Sequence, residues 1–120
     1  MREVNTLQIK DKIREMFIAM NYELGEDVIC SLESAKDNES SPLGKDVMDT
    51  LLKNLSIAEE KQIPICQDTG MAVVFLEIGQ EVYLTGMFIE DAVNQGVREA
   101  YEQGYLRKSV VSDPLERINT

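Results

Sequence analysis

Cys66, Gln67, Asp68 and Thr69 place a thiol, an amide, a carboxylate and a hydroxyl in four consecutive positions, and Gly70 closes the run. These types can supply a soft metal ligand or nucleophile, a neutral donor and an acid–base group. Ile63-Pro64-Ile65 leads in. Pro64 fixes its own φ and pushes Ile63 towards extended backbone, so a helix arriving from upstream must stop there. Gly70 can take φ > 0 and turn the chain sharply. The stretch therefore reads as a polar turn at the mouth of a sheet, a place where loops commonly carry chemistry on a fixed scaffold.

Each candidate also has a plainer reading. A lone cysteine such as Cys66 is often a small buried hydrophobe, yet its place beside Asp68 favours a thiolate ligand or nucleophile. One thiol cannot hold a metal alone, so any further ligands come from elsewhere in an assembly. Asp68 could simply bond its own turn. Arg107-Lys108 follows a helix end, where cations complement the dipole. Cys30, between Ile29 and Leu32, reads as core filler, and Arg98 as a surface residue of the last helix. Asp68-Thr69-Gly70 also spells the catalytic turn of aspartic proteases, but those are nearly all β, with an apolar strand leading into the aspartate; Cys66-Gln67 and a mostly helical chain speak against them.

The 120 residues suffice for one domain with a core. A formal charge of −10 argues against a nucleic-acid partner, because phosphate binding needs a basic patch. An anionic substrate must then be gripped by local Arg or Lys. The longest apolar run, Met71 to Leu76, is too short to span a bilayer, and the N-terminus has no signal-peptide core. A cytoplasmic protein without membrane association is expected. With no histidine, the usual general base, the usual zinc ligand and His-dependent nucleophile systems within this chain are excluded.

Around the turn, the pattern predicts four helices. Asn5 or Thr6 caps the first, whose stripe is Ile9, Ile13, Met16, Phe17 and Met20. The second runs from Glu26 to Lys36, with Val28, Ile29, Leu32 and Ala35 inward. Ser41-Pro42 starts the third, which carries Val47, Met48, Leu51, Leu52, Leu55 and Ala58 and fades near Lys61. The fourth carries Ile89, Ala92, Val93, Gly96, Val97, Ala100 and Tyr101 and ends at Gly104. Met71 to Leu76 reads as a strand covered on both faces, and Gly79-Gln80 as a type II′ turn joining it to Glu81–Thr85. The expected class is α+β: a helix-rich single domain with a small sheet containing an antiparallel hairpin.

Together these pieces resemble the N-terminal (alpha) region of the class I, iron–sulfur fumarate hydratases and the related tartrate dehydratases. The resemblance rests on Ile63-Pro64-Ile65-Cys66-Gln67-Asp68-Thr69-Gly70, on Val73-Val74-Phe75 through Ile78-Gly79-Gln80-Glu81-Val82, on Asn94-Gln95-Gly96-Val97-Arg98, on Leu106-Arg107-Lys108-Ser109-Val110-Val111, and on Asp113-Pro114-Leu115 with Arg117-Ile118-Asn119-Thr120. It covers essentially the whole chain, residues 1–120.

The resemblance implies a hydro-lyase of the tricarboxylic acid cycle type that hydrates fumarate to malate, with a 4Fe–4S cluster as Lewis acid. Cys66 matches the first of three cluster cysteines, the other two falling outside this chain. Gln67 and Asp68 match residues that contact substrate, and Asp68 is also placed to assist the catalytic base. Arg107 matches an arginine holding a substrate carboxylate. Implied partners are a small dicarboxylate, the remainder of the alpha region, and a beta subunit or C-terminal domain, the full assembly being a homodimer. Family members continue past Asn119-Thr120, so a truncated region, inactive in isolation, is expected. The alternatives are a tartrate dehydratase alpha region and a docking or assembly domain without chemistry of its own.

Overall fold

Asn5 ends a short N-terminal strand and begins the first helix, and that junction organises one part of the chain. In the computed structural model, which describes residues 1–119, β1 (Arg2–Asn5) leads into α1 (Thr6–Tyr22), followed by α2 (Glu26–Asn38), α3 (Pro42–Lys61), β2 (Val82–Thr85) and α4 (Ile89–Gln103). The chain divides into two compact units. One takes Met1–Ile18 and the chain from Gln67 onward; the other takes Ala19–Cys66.

In the first unit, β1 and β2 form a two-stranded parallel sheet with Arg2 opposite Val82 and Asn5 opposite Thr85. The Asn5 side chain accepts from the Leu7 N–H at 2.9 Å and so caps α1. The Thr6 hydroxyl, 1% exposed, lies 3.1 Å from the Thr85 carbonyl and 3.0 Å from that of Met87. It ties the strand–helix junction to the end of β2. Gly86, at φ 97°, makes that close approach possible: a Cβ there would sit 2.9 Å from both Asn5 Oδ1 and Thr6 Oγ1.

Ala92, Gly96, Ala100 and Gly104 are buried at intervals of four, a stripe of small residues along α4 and its cap. A Cβ on Gly96 would meet the Lys10 carbonyl oxygen at 2.6 Å and the Ile13 Cβ at 3.1 Å, so α1 and α4 touch backbone to backbone there. An ionic cluster flanks the crossing. Lys10 Nζ, on a side chain only 13% exposed, donates to both Glu99 oxygens at 3.0 and 2.9 Å, and Gln95 donates to Glu99 at 3.0 Å. These bonds hold the Glu99 carboxyl below its ordinary value and the Lys10 ammonium above its own, the Lys10–Glu99 bond contributing most to both.

In the second unit, α2 and α3 form a helical hairpin carrying a Lys36–Asp49 ion pair. Ser41 caps α3 with Pro42 at its first position, as the sequence dictates. Gln62 ends it in the left-handed region at φ 51°. Cover is thin: α2 buries no residue and α3 only Ala58. Cys30 is exposed on α2, which overturns its reading as core filler.

The expected antiparallel hairpin is not present, and this corrects the fold class. Residues 71–78 form no strand. Gly79 does start a turn, with the Val82 N–H on its carbonyl at 3.1 Å, but the chain leaving it pairs in parallel with β1 instead. Gly79-Gln80 is a local signal. The competing partner is distant in sequence, and the Thr6 hydroxyl at the end of the sheet holds β2 beside it. The protein is helix-rich with a small parallel sheet. No helix of the described residues is long and apolar enough to cross a membrane.

Candidate functional site

Pro64 and the left-handed end of α3 bring the chain out of the helical hairpin. Within that unit, the arm before the turn is held at Ile65 on both sides of its backbone. The Ile65 N–H donates to the Asn21 carbonyl at 2.9 Å, and the Asn54 amide donates to the Ile65 carbonyl at 2.8 Å. Cys66 follows directly and is exposed, in no disulfide. Its thiol is thus presented at the end of a tethered arm rather than packed in a core.

The next four residues, Gln67 to Gly70, open the other unit. Thr69 donates its hydroxyl hydrogen to the Arg107 carbonyl at 2.9 Å, and Tyr101 donates its phenol to the Gly70 carbonyl at 3.0 Å. Gly70 takes φ 66°, the conformation expected from the sequence. Arg107 is brought there by the end of α4: Gly104 caps the helix, Tyr105 reverses the chain at φ 53°, and the buried Leu106 bonds back to the Tyr101 carbonyl at 3.0 Å. Gln67, Asp68 and Arg107 all leave their side chains exposed. Thr69 therefore joins, by one hydrogen bond, two segments singled out separately in the sequence.

Beyond the turn lies an open cavity of about 660 Å³, lined by Met71, Ala72, Arg98, Tyr101, Lys108 and Ser109 among others. Two cations face it, with Glu102 3.6 Å from the Lys108 ammonium. Arg98 is exposed, as the sequence suggests, but it is also part of this wall. The signal available was its place one turn after Asn94 and one turn before Tyr101–Glu102, on a single helix face. The segment 108–110 is fixed by Asn119, whose side-chain amide donates to the Lys108 and Val110 carbonyls at 2.9 and 3.1 Å. Asp113 caps the intervening turn, accepting from Glu116 and Leu115 N–H groups, and these bonds hold its carboxyl below the ordinary value. Of the motif's last residues, Thr120 lies outside the described residues.

No group of three or more His, Cys, Asp and Glu residues that could hold a metal occurs among the described residues. The donor set is one exposed thiol on a short polar turn. That fits a chain contributing a single thiolate to a cluster whose remaining ligands lie elsewhere, and does not fit a complete metal centre.

Residues 10–120 match the family model described as fumarate hydratase (Fumerase). A protein of Methanocaldococcus jannaschii provisionally named as an L(+)-tartrate dehydratase subunit alpha is 40% identical over 114 residues, covering 94% of this chain and 40% of its own length. The L(+)-tartrate dehydratase subunit alpha of Escherichia coli K12 is 32% identical over 124 residues, covering the whole of this chain and again 40% of its own. The chain thus spans well under half of the relatives it matches. With the match running from Lys10 through the Cys66 turn and the Arg107 segment, the chain belongs to the fumarate hydratase (Fumerase) family.

Proposed function

We propose that the chain forms part of the alpha region of an iron–sulfur hydro-lyase acting on a four-carbon dicarboxylate, with Cys66 as one cluster ligand. The observation that carries this reading is the Thr69–Arg107 bond, which keeps the segment of Gln67 and Asp68 beside that of Arg107. The family description supports malate and fumarate; the relatives' names support L(+)-tartrate. Both are 2-hydroxy or unsaturated dicarboxylate chemistry, in which a hydroxyl leaves one carbon and a proton its neighbour.

Bound to the Cys66 thiolate and further ligands, the cluster would supply Lewis acidity towards the departing hydroxyl. The chain's own residues do the rest. The Arg107 guanidinium grips a substrate carboxylate with two parallel donors and disperses the charge that builds as the neighbouring proton leaves. Gln67 donates a neutral hydrogen bond, adding orientation without another charge. Asp68 accepts a hydrogen bond near the proton-accepting group and helps hold it in position. The relatives' designation as alpha subunits supports a second, beta-type subunit as partner.

The test uses the chain produced with the remaining hydro-lyase polypeptides and reconstituted anaerobically with iron and sulfide. Dehydration of malate and of L(+)-tartrate is measured beside the cluster's visible absorbance. Cys66→Ala is expected to lose both activity and absorbance. Full activity in that variant would leave Cys66 as a surface thiol and remove the reading.

A further inference from the structure

Residues 71–78, Met-Ala-Val-Val-Phe-Leu-Glu-Ile, are the most strand-like stretch of the chain in composition. Their backbone N–H and C=O groups make no hydrogen bond to any other described residue. Exposure alternates only over residues 71–75 and then stays high, with Leu76 47% and Ile78 45% exposed. Met71, Val73 and Phe75 are 70%, 62% and 93% exposed, while Ala72 and Val74 are half-buried. The start of the segment already rests on the protein, where Met71 and Ala72 line the cavity with α4 residues. Beyond it Val73, Phe75, Leu76 and Ile78 stay exposed beside an unused ladder of donors and acceptors. Such an edge invites pairing with another strand.

We infer that residues 71–78 are a docking strand that accepts a β-strand from the hydro-lyase polypeptide lying outside the region these 120 residues span. The inference rests on the function proposed above for its choice of partner. Two observations select that occupant. Relatives share only 40% of their own length with the chain, so family members carry ample polypeptide beyond the shared region. The chain's charge of −10, with Glu77 inside the segment and Glu81 just after it, opposes pairing with a second copy. It favours a strand that is apolar on alternate residues and carries Lys or Arg where it passes Glu77. Main-chain bonds would give affinity, and the exposed Val73 and Phe75 would select the partner's side chains.

The experiment co-produces the chain with a defined probe, the part of the Methanocaldococcus jannaschii alpha subunit beyond the matched region, and reads amide hydrogen exchange at residues 72–78. In the chain alone these amides should exchange close to the rate of unfolded chain; in the captured complex they should slow at least a hundredfold. Val74→Pro, which removes a donor from a segment that uses none in the isolated chain, should preserve helical circular dichroism while reducing capture at least tenfold. Phe75→Lys should reduce capture with the backbone donor retained. Absence of a complex, unprotected amides within one, undiminished capture of both variants, or protection arising from a dimer of the chain alone would each overturn the inference. Cys66→Ala should leave this protection intact, so the docking strand and the hydro-lyase reading fail independently.

Discussion

α4 and α3 are both amphipathic, and they treat their apolar faces in opposite ways. α4 buries Ala92, Gly96 and Ala100, small residues that remove little area each but let α1 approach to backbone contact. α3 carries the larger side chains Leu43, Val47 and Leu51, and all three are exposed. Amphipathicity states which face is to be buried. It does not state that a cover exists within the same chain. Small residues complete their packing with a neighbouring backbone, whereas a row of leucines needs partner volume that α2 supplies only in part.

The sharpest way to break this contrast is at Gly96. Any Cβ there meets the Lys10 carbonyl, a backbone atom that cannot swing aside, so Gly96→Val should destabilise the chain by about 3 kcal/mol through overpacking. Leu51→Ala removes a larger side chain, but one already 45% exposed, and should cost only about 1 kcal/mol. Chemical denaturation followed by circular dichroism measures both. If Leu51→Ala proves the costlier, the face of α3 is covered in solution and the contrast between the helices disappears.

What could be read in advance follows the same division between local and distant causes. The ends of α3 and α4 were legible because Ser41-Pro42 and Gly104 act through neighbouring backbone groups. The turn at Cys66 was legible for the same reason. β1 was not, because Arg-Glu-Val-Asn has one apolar residue and its partner, Val82–Thr85, is far along the chain. The strand expected at residues 71–76 had the right composition but no second strand to pair with. In the candidate site, residue types pointed to Cys66, Gln67, Asp68 and Arg107. The Thr69 bond to the Arg107 carbonyl, and the cavity wall formed by Arg98 and Lys108, depend on the path of the chain after Gly104, where Tyr105 takes a left-handed conformation no composition rule demands. Gly96 stood in the apolar stripe, but its steric role depends on which helix crosses it.

A smaller effect separates packing from polar fastening within the first unit. Thr6 is almost fully buried at the β1–α1 junction, and its hydroxyl faces two carbonyl groups at the end of β2. Thr6→Val keeps the shape and leaves those carbonyls without that donor, so about 1 kcal/mol should be lost. Exchange of the Val82 to Thr85 amides should quicken, while amides in the middle of α4, held by the Gly96 crossing, stay protected. Equal quickening in both would mean that sheet and helix pair open as one body.

The smallest expected effect is confined to the loop that Asp113 caps. Its carboxyl is held down by the Glu116 and Leu115 N–H groups, so it binds its proton less readily folded than unfolded. A depressed carboxyl contributes stability above its unfolded value, and that contribution is lost as pH falls through the lower, folded value. The loop from Ser112 to Ile118 should therefore be unchanged from neutral pH to about pH 4, near the ordinary carboxyl value, and loosen only below it. Amide resonances of Leu115 and Glu116 report this directly. Asp113→Asn keeps an acceptor oxygen but removes the titration, and should flatten the low-pH response of those two amides. Loosening that begins at or above pH 5 in the native chain would show that the N–H groups do not hold the carboxyl down. The turn that positions Asn119 against Lys108 and Val110 would then owe its shape to Pro114 and the Arg117–Asp113 backbone bond instead.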